Sequence, residues 1–137
     1  VVKVINDSIK GRDFWMPFAP TILYPRSKDY LLNPKNIDSQ FMMIGFDTNK
    51  RAQVEIPAAI HPYDLTCRPQ ILKREDNPEY YDIIREFDKL TGVGAILNTS
   101  FNLHGEPIVL SPDDAIRTFK KSALEYLLIG DYLVKKR

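Results

Sequence analysis

The chain has 137 residues, of which 44% are apolar and 11% aromatic, a size and composition that suit one globular domain around one core. Nineteen Lys and Arg stand against eighteen Asp and Glu, and the resulting +1 excludes the one-signed field that makes duplex nucleic acid or an anionic membrane the default partner. The single Cys67 excludes a disulfide framework, and the apolar runs fall far short of the ~20 residues needed to span a bilayer. These features predict a soluble, cytoplasmic protein. Because the chain opens on Val1 and enters an apolar-periodic segment at once, it is expected to be one domain, residues 1–137, cut from a longer polypeptide.

Val1, Val2, Ile5 and Ile9 recur at near-helical spacing, and Gly11 is placed to end that helix. Residues 13–20 set Phe14, Trp15 and Phe18 around Pro17 and Pro20, a pattern that predicts an extended segment anchored in the core. Residues 21–24 read as a strand closed by Pro25, and residues 26–40 as a loop around a short helical turn. Residues 41–46 are apolar on both alternating faces, which predicts a central strand, and residues 52–56 are expected to return as a short strand ending at Pro57.

Residues 67–73 read as a further strand, with Arg68 and Gln70 on one face and Cys67, Pro69 and Ile71 on the other. Asn77 can cap the next helix with Pro78 at its first position; Ile83, Ile84, Phe87 and Leu90 mark its expected buried face, and Gly92 stops it. A short aliphatic strand, 93–97, leads into the polar tract 98–106, followed by an expected strand at 107–110. Ser111 and Pro112 open a second helix with Asp113 and Asp114 at its positive end and Ala115, Ile116 and Phe119 facing inward. Residues 126–134 predict a closing strand pair around Gly130 and Asp131.

The tract from Asn98 to Glu106 is the densest polar segment and follows an apolar strand directly, the position where α/β sheets place ligands. Thr99 and Ser100 hydroxyls and Asn98 and Asn102 amides can donate to an anion without adding charge; the same residues equally form a loop that satisfies its own backbone. Lys10 and Arg12, on alternate positions, can face one phosphate, Lys as a point charge and Arg as a bidentate fork, or can be two solvated cations at a helix end. Arg68 in an apolar strand needs a counter-anion, Asp64 or a ligand, if it faces inward, and none if it lies at an edge. With His61, His104 and one Cys there is no Cys/His metal spacing, and Cys67 reads as a small buried apolar residue rather than a nucleophile. Gly92, Gly94 and Gly105 are spaced for neither a phosphate loop nor a nucleophile elbow.

Three stretches in order, residues 12–20, Arg68 to Gln70 followed by residues 75–78, and residues 98–108, resemble the C-terminal domain of carbamoyltransferases of the NodU/CmcH/TobZ type. The resemblance covers nearly the whole chain and is most specific over residues 98–109. It implies an α/β (α+β) fold, a YrdC-like twisted mixed sheet flanked by helices, with a positively charged cavity for phosphate-bearing ligands. YrdC-type domains carry a Lys-x-Arg and a Ser-x-Asn pair around that cavity, which Lys10/Arg12 and Ser100/Asn102 match, and Arg68 falls where the family has a phosphate-contacting arginine. Many members have Arg where this chain has Met16, a contact Arg26 is the candidate to replace.

The implied reaction takes carbamoyl phosphate and ATP, with Mg, to a carbamoyl-adenylate in this domain; a preceding ATPase-like domain with its own metal site transfers the carbamoyl group to a hydroxyl acceptor. Lys10, Arg12 and Arg68 are then expected to hold phosphate, with Asn98, Thr99, Ser100 and Asn102 orienting carbamoyl or phosphate oxygens and Phe14, Trp15, Phe18 and Phe101 as candidate walls. An RNA- or nucleotide-binding module without its own catalysis is the alternative reading, and a structural domain that only completes its partner's site is a third.

Overall fold

A computed structural model describes residues 2–11 and 17–137, arranged as two compact units, one of residues 17–99 and one of residues 1–16 with 100–137. The chain is α/β, built from helices and small mixed and antiparallel sheets. Arg12, Asp13, Phe14, Trp15 and Met16, which carry several of the expectations above, lie outside the described residues.

Strand β1 (Ala19–Leu23) is the centre of the larger unit. It pairs in parallel with β5 (Gln70–Leu72), Thr21 opposite Gln70, and antiparallel with β6 (Ala95–Asn98), Ala19 opposite Asn98. A second, antiparallel sheet has the order β2 (Leu31–Leu32), β3 (Phe46–Thr48), β4 (Thr66–Cys67). One core joins the two sheets through Ile22, Tyr30, Leu31, Phe46 and Ile71, and a smaller one packs Ile84 of helix α3 (Pro78–Thr91) on Leu23 and Leu72.

Local chemistry sets the helix ends. The Asn77 carboxamide accepts the Tyr80 N–H at 3.1 Å with Pro78 just inside, and Gly92 ends α3, as the sequence predicts. In the smaller unit Ser111 caps α4 (Pro112–Lys121) in a full capping box with Asp114, whose carboxyl is held below its usual range by the Ser111 hydroxyl and then by Arg117. Strands β7 (Tyr126–Ile129) and β8 (Tyr132–Lys135) follow as an antiparallel ribbon.

Four expectations are corrected. Residues 41–45 form no strand: Met42 sits at φ 55°, incompatible with extended pairing, and Phe41 and Met43 are 74% and 80% exposed. Residues 50–55 are helical, α2 (Lys50–Glu55), because Asn49 accepts the Ala52 N–H at 3.0 Å and Arg51 reaches Glu55 at 2.8 Å one turn on. The stretch read as a single strand over 67–73 is split between the two sheets, with Arg68 and Pro69 as the step from β4 to β5. Residues 107–110 are irregular, with Leu110 95% exposed.

Helix α3 also presents less of its apolar stripe to the core than its periodicity suggests. Ile84 is fully buried, whereas Ile83, Phe87 and Leu90 are exposed; Ile116 of α4 is exposed too, while Ala115 and Phe119 are buried. Arg26 explains part of this register. Its guanidinium donates to Asp29 at 2.6 Å, to Asp88 at 2.8 Å and to the Gly92 carbonyl at 2.9 Å, pinning the end of α3 to the turn after β1. Its stem lies so near Gly94 that a Cβ there would come within 2.5 Å of Arg26 Cγ. The contrast on α3 is measurable. Ile84→Ala is expected to cost about 2–5 kcal/mol in urea unfolding and Leu90→Ala no more than about 0.5 kcal/mol; equal losses would show the stripe to be uniformly packed.

Candidate functional site

Helix α1 (Val2–Ile5) runs into a π-helical turn, Asn6–Lys10, closed by Gly11 at φ 53°, whose N–H donates to the Asn6 carbonyl at 2.7 Å. This ending turns Lys10 inward. Its side chain is only 1% exposed, and its ammonium donates to the Ser100 Oγ at 3.0 Å, the Asn102 Oδ1 at 2.7 Å and the Asn102 carbonyl at 3.2 Å, and to the Ser100 carbonyl. The Lys of the Lys-x-Arg pair and both polar members of the Ser-x-Asn pair therefore meet at one point.

An ammonium can only donate, so its contact with Asn102 fixes which end of that amide faces it. The Asn102 Oδ1 accepts from Lys10 and from the Ser100 hydroxyl at 2.6 Å. The Asn102 Nδ2 then donates to the carbonyls of Leu103 at 3.0 Å and Glu106 at 2.8 Å, shaping the turn that follows. Both N–H bonds of this amide are spent within the loop. In this arrangement the Asn102 amide has its donors turned to the loop itself.

Asn98, at the end of β6, is held in a separate polar network of the larger unit. Its Nδ2 donates to Thr21 Oγ1 at 2.9 Å and to Gln70 Oε1 at 3.3 Å. Its amide, like that of Asn102, turns its donors to the protein itself. Thr99 is half-buried, and its hydroxyl makes no hydrogen bond among the described residues.

Arg68 is exposed and makes no hydrogen bond or ion pair among the described residues. Of the two placements open to Arg68, the structure has the solvent-facing one, on the step between the sheets. Asp64, its suggested partner, instead receives the Thr66 N–H at 3.0 Å and the Thr66 hydroxyl at 2.8 Å and lies 3.1 Å from His61 Nδ1. Arg26, proposed to replace the arginine missing at Met16, has its guanidinium occupied by Asp29, Asp88 and Gly92 as described above.

Cys67 is buried in the core, and burial pushes its thiol up to about 12. Among the described residues no group of three or more His, Cys, Asp and Glu side chains is placed to hold a metal ion. None of the described helices is long and apolar enough to cross a membrane. The larger unit also has an open cleft of about 870 Å³ bordered by Tyr24, Lys28, Leu32, Ile37 and Lys73, residues that follow β1 and β5 and that the sequence reading leaves unassigned. Its only signal in the sequence is the strand-end position of Tyr24 and Lys73.

The chain belongs to the carbamoyltransferase C-terminus family, whose family model matches residues 1–136. Among curated proteins it is 48% identical over 96% of its length to an uncharacterized protein of Methanocaldococcus jannaschii, covering 25% of that protein. It is 39% identical over 97% of its length to the nodulation protein NolO of Bradyrhizobium diazoefficiens, of which it covers 24%. With nodulation protein U of Sinorhizobium fredii it shares 32% identity over 72% of its length and 17% of that protein's. The chain thus spans a quarter or less of these relatives.

Two outcomes check this geometry. Lys10→Ala, which leaves buried acceptors without their donor, is expected to lower stability by about 2–4 kcal/mol in urea unfolding, while Arg68→Ala leaves the midpoint unchanged. The Cys67 thiol is expected to resist a disulfide-exchange reagent at pH 8 until the chain is unfolded, because its protonated form persists far above that pH; rapid labelling of the folded chain would contradict its burial.

Proposed function

We propose that this chain is the part of a carbamoyltransferase that binds carbamoyl phosphate and ATP and forms a carbamoyl-adenylate. Lys10, Arg12, Arg68, Asn98, Thr99, Ser100 and Asn102 are the residues assigned to ligands. The observation that carries the reading is the seating of the Lys10 ammonium on Ser100 and Asn102, the pairing of motifs that the family resemblance ties to the ligand cavity. Family membership over residues 1–136 supports the same class of reaction.

The reaction balances in three steps. Water cleaves carbamoyl phosphate to carbamate and inorganic phosphate. A carbamate oxygen attacks the α-phosphorus of ATP, forming the mixed carbamoyl–phosphate anhydride of the adenylate as pyrophosphate leaves. An acceptor hydroxyl then attacks the carbamoyl carbon, AMP departs and the hydroxyl proton passes to solvent. Transfer belongs to a preceding domain of the longer protein.

Such chemistry asks for positioning and charge stabilisation more than for covalent participation by side chains, and the candidate residues are of that kind. Mg, supplied with the nucleotide, would neutralise charge on the ATP phosphates, and this ion is commonly bound without a dedicated all-protein cage. The Lys10 contacts hold the Ser100–Asn102 loop in one conformation before any ligand arrives. Arg68, exposed and without a hydrogen bond or ion pair among the described residues, has a guanidinium suited to a phosphate fork.

Calorimetric titration of the chain with carbamoyl phosphate and with ATP tests the reading. Saturable binding of both is expected, weakened about tenfold or more by Arg68→Ala, a change that leaves the fold intact. Absence of binding, or salt-sensitive association with tRNA in its place, would overturn it.

A further inference from the structure

Three motifs that the proposed reaction leaves without a role meet at β1. Thr21, fully buried, donates from its hydroxyl to Gln70 Oε1 at 3.0 Å and accepts from the Tyr80 hydroxyl at 3.1 Å. Gln70 lies directly opposite Thr21 in the parallel pairing of β1 and β5, so the two side chains share a sheet face. Tyr80 stands on the first turn of α3 because Asn77 caps that turn and accepts the Tyr80 N–H. Two of them meet the Asn98 amide directly, its N–H bonds going to Thr21 Oγ1 and Gln70 Oε1, while Tyr80 acts through Thr21.

The geometry points to Thr21, Gln70 and Tyr80 as positioning residues that hold Asn98 with its N–H bonds inward, so that its carbonyl oxygen accepts an N–H from the ligand. That oxygen receives no hydrogen bond from the described residues. Asn98 is half-buried at the end of β6, where the sheet gives way to the polar tract. An acceptor fixed there discriminates by the presence of a donor. A site built to bond an N–H rejects the analogue lacking it, because its own polar atom is then left unpaired. Resting on the function proposed above, the inference names the donor as the amide –NH2 of the carbamoyl group, the feature that separates carbamoyl phosphate from acetyl phosphate.

The test titrates the chain with carbamoyl phosphate and acetyl phosphate, which present the same phosphate and carbonyl and differ in –NH2 against –CH3. Carbamoyl phosphate is expected to bind about fivefold to tenfold more tightly. Asn98→Ala and Gln70→Met are expected to bring the two affinities together by weakening carbamoyl phosphate alone, whereas a loss of fold weakens both ligands alike. Gln70→Glu, which keeps acceptors toward Thr21 and Asn98 and cannot donate, is expected to preserve the discrimination. Loss of discrimination in Gln70→Glu would mean that Gln70 donates to Asn98, reversing the amide and overturning the inference. Equal affinity of the native chain for the two phosphates overturns the inference and leaves the proposed function standing. Failure to bind either phosphate overturns both.

Discussion

A lysine ammonium that is 1% exposed is tolerated only where acceptors surround it, and this requirement organises the smaller unit of the molecule. Two residues of one loop, Ser100 and Asn102, provide both backbone and side-chain oxygens for Lys10. The loop cannot take another path without stripping the charge of its partners. The orientation of Asn102 follows from the same demand, and so does the turn its amide builds with Leu103 and Glu106. A spacing in the sequence, Ser-x-Asn, becomes a fixed arrangement because a cation ninety residues earlier can only donate.

Polar side chains in this protein are therefore spent first on its own architecture. Arg26 ties the turn after β1 to the end of α3, Asn49 and Asn77 cap helices, and Asn98 and Asn102 direct their N–H bonds inward. What remains for a phosphate ligand among the described residues is narrower than the residue types suggest. Arg68 and the Thr99 hydroxyl are free to engage one, whereas the amides offer at most a carbonyl. This division fits the ligand proposed above, which carries an anion at one end and an N–H donor at the other.

Helix ends were legible in the sequence because their signals are local. Asn77-Pro78 and Ser111-Pro112 place caps within a turn of the residues they satisfy, and α3 and α4 begin where those pairs put them. The pairing of Lys10 with Ser100 and Asn102 was legible only through the family resemblance, since nothing in residues 1–11 points to a partner some ninety positions away. Over residues 41–46 apolarity on both faces does not mean burial on both faces, because Met42 turns the backbone out of the extended region. Residues 52–56 misled because Val54 and Ile56 suggest alternation, while the Asn49 cap and the Arg51–Glu55 pair, which favour helix, lie partly outside that window.

Amide orientation was not legible at all, and for a general reason. An asparagine in a sequence is both donor and acceptor, and only its neighbours in space decide which half is left over. At Asn102 a cation decides it, forcing the carbonyl inward. At Asn98 the deciding groups are a threonine whose hydroxyl donates to Gln70, a tyrosine that fills the threonine's remaining acceptor position, and the glutamine carbonyl itself. Each comes from a different element: β1, α3 and β5. The chemical character of one site residue thus depends on the register of a parallel strand pair and on the cap of a helix, and a one-residue slip in β5 would carry Gln70 to the other face of the sheet and leave Asn98 free to turn its donors outward.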